Sequence, residues 1–148
     1  MYKVDFSEFA NTDNRNNGIC KEWAVARSFG INRTSHNNKN YIVDSDVEID
    51  DRKISVKSRG FSLYSGTMTK GCHTFEGVWR RYYRNVHSTE WIYVTDEWVG
   101  YVMNKKEFSK FVHTFGFLTR ESKKNGGGIK IQCKDNKSVN KWLEEKCA

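Results

Sequence analysis

The sequence predicts an α/β (α+β) fold in which one mixed β-sheet is flanked by helices, and three observations carry that expectation. Helix-period and strand-period segments alternate along the whole chain instead of segregating into halves. The strand-like runs are short, rich in β-branched and aromatic residues, and bounded by Asn, Asp or Gly. No repeat, low-complexity tract or linker divides the 148 residues, a length that suits a single domain over residues 1–148.

Taken in order, the Asn-rich stretches "NTDNRNNG" and "SHNNKN" read as surface loops, because Asn tolerates turn conformations and competes for backbone hydrogen bonds. Between them "GICKEWAVARSFG" reads as a first helix, with Ile19, Trp23 and Ala26 at helical spacing and Gly30 as a C-cap. Strands are predicted at about residues 40–49 and 53–58. "TFEGVWRRYYRNV" follows as a second helix with Phe75, Val78, Trp79 and Tyr82 on one side. "EWIYVTD" and "WVGYVM" form a second strand pair, and "KKEFSKFVHTF" a short helix. "ESKKNGGG" reads as a turn, "GGGIKIQCK" as one more strand and "NKSVNKWLEEKC" as a closing helix.

Composition narrows the function classes. With 37% hydrophobic and 14% aromatic residues the chain can bury a core and is not a disordered tail. A formal net charge of +7, from 25 Lys and Arg against 18 Asp and Glu, favours a polyanionic partner. The four cysteines, Cys20, Cys72, Cys133 and Cys147, show no zinc spacing, and "MYKVDFSEF" lacks the apolar stretch of a signal peptide. Reduced thiols, a cytoplasmic location and no membrane partner are the expectation. His36, His73, His87 and His113 are scattered without an H-x-x-x-H pair, which argues against histidine-ligated metal. No serine or cysteine nucleophile signature appears, nor an RNP-like aromatic strand motif for RNA.

The most informative stretch is "SDVEIDDRKISVKS", residues 45–58, in which Val47, Ile49, Ile54 and Val56 alternate with charged residues. A tight hairpin with Asp51 and Arg52 at its tip sets Ile49 against Ile54, Val47 against Val56, Glu48 against Ser55 and Asp46 against Lys57. Alternation then puts Asp46, Glu48, Ser55 and Lys57 on one face, close enough to share a divalent cation and an activated water. The plainer reading is a solvated hairpin face on which Asp46 and Lys57 form a surface ion pair worth little. Glu22 is the second informative residue, since it borders the apolar stripe of the first helix, where a carboxylate is costly unless satisfied. A helix-surface glutamate is its plainer reading.

A helix carrying G-x-x-x-E ("GICKE"), then an acidic strand and a hairpin return ending in "ISVKS", resembles the PD-(D/E)XK nuclease superfamily of restriction enzymes, resolvases and repair nucleases. The resemblance covers roughly residues 18–103 in the order helix, three strands, helix, strand, and implies a restriction endonuclease-like αβββαβ core. It further implies hydrolysis of DNA phosphodiester bonds with Mg2+ or Mn2+, in a small stand-alone enzyme of phage or mobile-element type. By that resemblance Asp46 is the metal-binding aspartate, Lys57 the lysine that positions or deprotonates water, and Glu22 the first-helix glutamate.

Two departures stand out. No proline precedes Asp46, for whose role Asp44 competes, and the acidic position two before Lys57 is Ser55. Glu48, across the hairpin, or Glu76, on the second helix, is the expected replacement carboxylate, giving a catalytic set of Asp46, Lys57, Glu22, Glu48 and Ser55 with metal held by Asp46 and Glu48. DNA phosphates are expected at Ser58, Arg59, Lys70, Arg80, Arg81 and Arg84, where basic and aromatic residues interleave. A catalytically silent fold that binds DNA or blocks a partner protein is the alternative, and a homodimer is compatible with either.

Overall fold

The computed structural model describes residues 1–10, 17–31, 45–64, 74–120, 128–135 and 137–147. It is a mixed α/β structure, as the alternation of periods predicts. The strands are β1 (Tyr2–Asp5), β2 (Val47–Ile49), β3 (Arg52–Ser58), β4 (Ser62–Tyr64), β5 (Glu90–Val94), β6 (Val99–Asn104), β7 (Gly116–Arg120) and β8 (Ile129–Cys133). The helices are α1 (Asn17–Ser28), α2 (Phe75–Asn85), α3 (Lys105–Phe115) and α4 (Lys137–Cys147), with a 3-10 turn at Ser7–Phe9.

Instead of one sheet the described residues form two. The first has five strands in the order β1-β6-β5-β3-β2, and the second three in the order β4-β8-β7. β3 and β5 run parallel, with Ser55 beside Trp91 and Lys57 beside Tyr93, and the other pairs are antiparallel. The crossover from β3 to β5 carries α2, as a parallel pair requires.

Each helix boundary has a local cause. α1 ends where Gly30 takes φ +73 and the Ile31 N–H reaches back to the Ala26 carbonyl at 3.1 Å, a conformation that glycine adopts without a Cβ penalty. Thr74 caps α2 by accepting the Gly77 N–H at 3.0 Å. At α3, Asn104 and Glu107 exchange side-chain to backbone bonds of 2.8 and 3.0 Å in a capping box.

The five-stranded sheet separates two apolar cores. On one face Val25 and Ala26 of α1 pack with Val47, Ile54, Val56, Ile92, Val94 and Phe6. Phe6 lies so close to β6 that a Cβ on Gly100 would sit 2.3 Å from its ring, so glycine is required there. On the other face, α2, α3, α4 and the second sheet bury an aromatic core in which Trp91 stacks on Phe108 at 4.8 Å and donates its indole N–H to the Tyr82 hydroxyl at 2.9 Å. No described helix is long and apolar enough to cross a membrane.

Two sequence-based expectations are corrected. In α1 the buried residues are Cys20, Lys21, Ala24, Val25 and Ala26, whereas Ile19 is 42% exposed and Trp23 only half-buried, so the buried stripe is rotated from the expected one. In α2, by contrast, Val78, Trp79 and Tyr82 are buried as the spacing predicts, and Tyr83 is 40% exposed. In the hairpin the tip is Asp50–Asp51, not Asp51–Arg52, because Asp50 adopts φ +52, a left-handed conformation that Asp tolerates better than most residues. The pairs are therefore Val47 with Ile54, Glu48 with Lys53 and Ile49 with Arg52. This register lets Arg52 form a two-pronged bond to Glu90 of β5, at 2.7 and 2.8 Å.

Candidate active site

The site is built outward from β3. Its even-numbered residues Ile54 and Val56 enter the α1 core, and Ser58 approaches Gly18, where a Cβ would come within 3.9 Å of the Ser58 hydroxyl. By alternation Ser55 and Lys57 project to the aromatic face. Lys57 is half-buried, with its ammonium 5.7 Å from the centre of the Phe61 ring. Nearby Cys133 is buried, which pushes its thiol up to about 12 despite the Lys57 charge, so it stays a neutral wall.

Asp46 lies just before β2, 6% exposed. Its N–H donates to the Ile54 carbonyl at 2.9 Å, and its Oδ2 accepts the Val56 N–H at 2.7 Å. β2 begins only at Val47, so the carboxylate takes over a β3 donor that a longer strand would have paired. This bond orients the carboxylate. Beside it Ser55 is fully buried, and its Oγ has no hydrogen-bond partner among the described residues. A buried hydroxyl left unpaired costs free energy, so its presence here calls for a ligand or a functional reason.

Immediately beyond, at the carboxyl ends of the parallel strands β3 and β5, a cleft of about 320 Å³ is lined by Arg59, Tyr93, Thr95, Asp96, Asp135 and the first turns of α4. Such strand ends are where open α/β sheets generally bind ligands. The Arg59 guanidinium lies 3.5 Å from Asp96 and 3.6 Å from Asp135. Burial holds the Tyr93 hydroxyl well above its usual proton affinity, reinforced by the Asp135 and Asp96 charges, so it is a neutral hydrogen-bonding group. Behind Asp96, Lys21 is buried with its ammonium 3.7 Å over the Trp98 ring; burial lowers its proton affinity and Asp96 opposes that effect.

Ser55 and Lys57 thus share one face of β3, and the Asp46 carboxylate is bonded to the N–H of Val56 between them. The other expected residues do not all join them. Glu48 stands opposite Lys53 instead of Ser55, exposed, and accepts the Ser45 hydroxyl at 3.0 Å; the corrected register removes the pairing that made it the second carboxylate. Glu76, in the first turn of α2, lies 2.8 Å from His113 Nε2 on α3. Glu22 is half-buried on α1, the helix that covers the opposite face of β3. Arg59 belongs to the cleft, while Arg80 and Arg84 are exposed and Arg81 half-buried on α2. Asp44 and Lys70 lie outside the described residues.

Asp96, Asp135 and Lys21 were not legible as site residues. Parallel pairing of "SVKSR" with "WIYVT" would have set Arg59 beside Thr95, next to Asp96, but no short-range signal brings Asp135 in from the end of β8.

Among the described residues no three of His, Cys, Asp and Glu gather at one point. The donors on the Asp46 face are a carboxylate and an unpaired hydroxyl, hard oxygens of the type that magnesium takes. Magnesium commonly keeps several waters and uses one or two carboxylates plus substrate phosphates, so this donor set fits it. The fold and the site define a mixed α/β protein with a polar row on a hairpin and a charged cleft at the carboxyl ends of its parallel strands. No family model, curated protein or solved structure matches the chain.

Proposed function

We propose that the protein is a divalent-metal-dependent endonuclease that hydrolyses DNA phosphodiester bonds, with Asp46, Ser55 and Lys57 as its reacting centre. The observation that carries this reading is the fixed Asp46 carboxylate beside the buried, unpaired Ser55 hydroxyl, one alternation short of Lys57. The element order α1, β2, β3, β4, α2, β5 supports it, because it follows the order that "GICKE" and "ISVKS" resemble, with β4 departing by pairing in the second sheet. The net charge of +7 supports a polyanionic substrate.

Asp46 and Ser55 would hold Mg2+ or Mn2+, which when bound neutralises charge developing on the phosphoryl and leaving oxygens. Asp46 is the anchored ligand, because the Val56 N–H fixes its rotamer before substrate arrives. Lys57 orients the attacking water or takes its proton. Arg59, held between Asp96 and Asp135, faces the cleft as a phosphate donor whose planar fork suits two oxygens. Glu22, on the α1 side of the strand, is not assigned to this centre.

Plasmid DNA incubated with the protein and magnesium, manganese or chelator tests this directly. Cleavage should require the metal, and Asp46→Asn and Lys57→Ala should each lower it by about 10²–10⁴-fold with an unchanged circular dichroism spectrum. Asn is chosen because it can still accept the Val56 N–H. Wild-type cutting rates in either folded variant would remove the assignment.

Ser55 supports a second reading, since a hydroxyl ligates magnesium more weakly than the carboxylate usual at that position. In that reading the fold binds DNA, or blocks a partner protein, without cutting. Calorimetry that finds no uptake of divalent ion by a protein that still binds DNA would favour it.

A further inference from the structure

Away from the Asp46 face, α2 and α3 flank an open groove of about 570 Å³ lined by Trp79, Tyr83, Lys106, Ser109, Lys110 and His113. Trp79 forms its floor, 6% exposed and set edge-on to His113 at 5.3 Å. Tyr83 is its open aromatic wall, 40% exposed and 5.7 Å from Trp79. The ammonium of Lys105 lies 4.0 Å over the Tyr83 ring, which shows that this face accepts a stacked or cationic group.

The charge on the rim is one-sided. Both nearby carboxylates are engaged, Glu76 with His113 at 2.8 Å and Glu107 in the capping box with Asn104. Lys105, Lys106 and Lys110 are left as the charges that a ligand meets. Lys105 and Lys106 also occupy the first turn of α3, where the helix dipole disfavours cations, so helix stability does not account for them.

We propose that this groove binds a nucleic-acid strand with unpaired bases, one base stacking on Tyr83 and the flanking phosphates meeting Lys106 and Lys110. The base displaces the Lys105 ammonium from the ring and frees it for a third phosphate. A paired duplex presents its phosphates to the lysines but cannot bring a base face into a recess between two helices. The substrate class singled out is therefore single-stranded or locally unpaired nucleic acid. Binding here does not depend on whether the Asp46 site cuts.

Fluorescence anisotropy of labelled oligo-dT in chelator, with a duplex of equal length as comparison, tests the proposal. The single strand should bind more tightly than the duplex. Tyr83→Ala should weaken strand binding by about 5- to 150-fold and leave duplex binding unchanged, since base–aromatic stacking contributes about 1–3 kcal/mol per base. Tyr83→Phe, which keeps the ring, should retain the affinity. The double variant Lys106→Ala with Lys110→Ala should flatten the salt dependence of strand binding by about 1.4 in log–log slope. Equal affinity for strand and duplex, an unaffected Tyr83→Ala, or competition by poly-glutamate as effective as by oligo-dT would overturn it.

Discussion

At Ser55 a buried hydroxyl with no described partner sits beside a carboxylate whose orientation a backbone N–H has fixed. In a purely structural role such a residue is a poor choice, because alanine fits the same space without the cost of desolvating an oxygen. The expected cost of leaving the hydroxyl unpaired is about 1–3 kcal/mol. Ser55→Ala should therefore raise the stability in urea by about 1 kcal/mol and, if Ser55 serves the site, lower metal-dependent cleavage at the same time. A variant that is more stable and cuts normally would confine Ser55 to the core. A variant that is less stable would mean that the hydroxyl has a partner in the folded protein. The Asp46 carboxylate has a double duty that the sequence does not reveal, pairing the β3 backbone as well as facing the site, which is why Asp46→Asn is a cleaner probe than Asp46→Ala.

At the scale of the element, the β2–β3 hairpin decides which side chains meet. Placing the tip at Asp50–Asp51 moves every cross-strand partner by two residues, so Ser55 and Lys57 stay on one face of β3 while Glu48 loses Ser55 and Asp46 loses the expected pairing with Lys57. A double variant Glu48→Cys with Lys53→Cys should form an intramolecular disulfide on oxidation, and Glu48→Cys with Ser55→Cys should not, as read by mass spectrometry of proteolytic fragments. The reverse result would restore the Glu48–Ser55 pairing. The helices and the longer strands were legible because each has enough residues to show a period and a recognisable end, as with Gly30 after α1. β4, three residues long, and β1, whose side chains are mostly exposed, carry too little pattern to be read. β7 follows α3 with no intervening loop, so its start looks like more helix. The site was half legible for the same reason: alternation on one strand finds Ser55 and Lys57, but the second sheet that brings Asp135 to Arg59 depends on long-range pairing.

For the whole molecule, the net charge of +7 matters through its distribution. Arg80 and Arg84 are exposed on α2 and Arg81 half-buried, on the helix that also carries Tyr83, while Lys106 and Lys110 face the same groove from α3. At the carboxyl ends of β3 and β5 lies instead a cleft where Arg59 is balanced by Asp96 and Asp135. The expectation is a division of labour, in which the helical layer supplies long-range attraction and the cleft supplies local contacts. Because each neutralised phosphate of a duplex adds about 0.9 to the log–log salt slope through counterion release, replacing Arg80, Arg81 and Arg84 together by Ala should reduce that slope by about 2.7 if all three meet phosphate. Arg59→Ala, by contrast, exchanges one cation for two unpaired carboxylates and should weaken binding at every salt concentration while flattening the slope by about 0.9 at most. Titrations of duplex DNA over a range of potassium chloride concentrations, in chelator so that no cutting intervenes, measure both. A triple-arginine variant with the wild-type slope would mean that duplex DNA does not run along α2, and the electrostatic footprint would then have to be sought on the cleft side of the molecule.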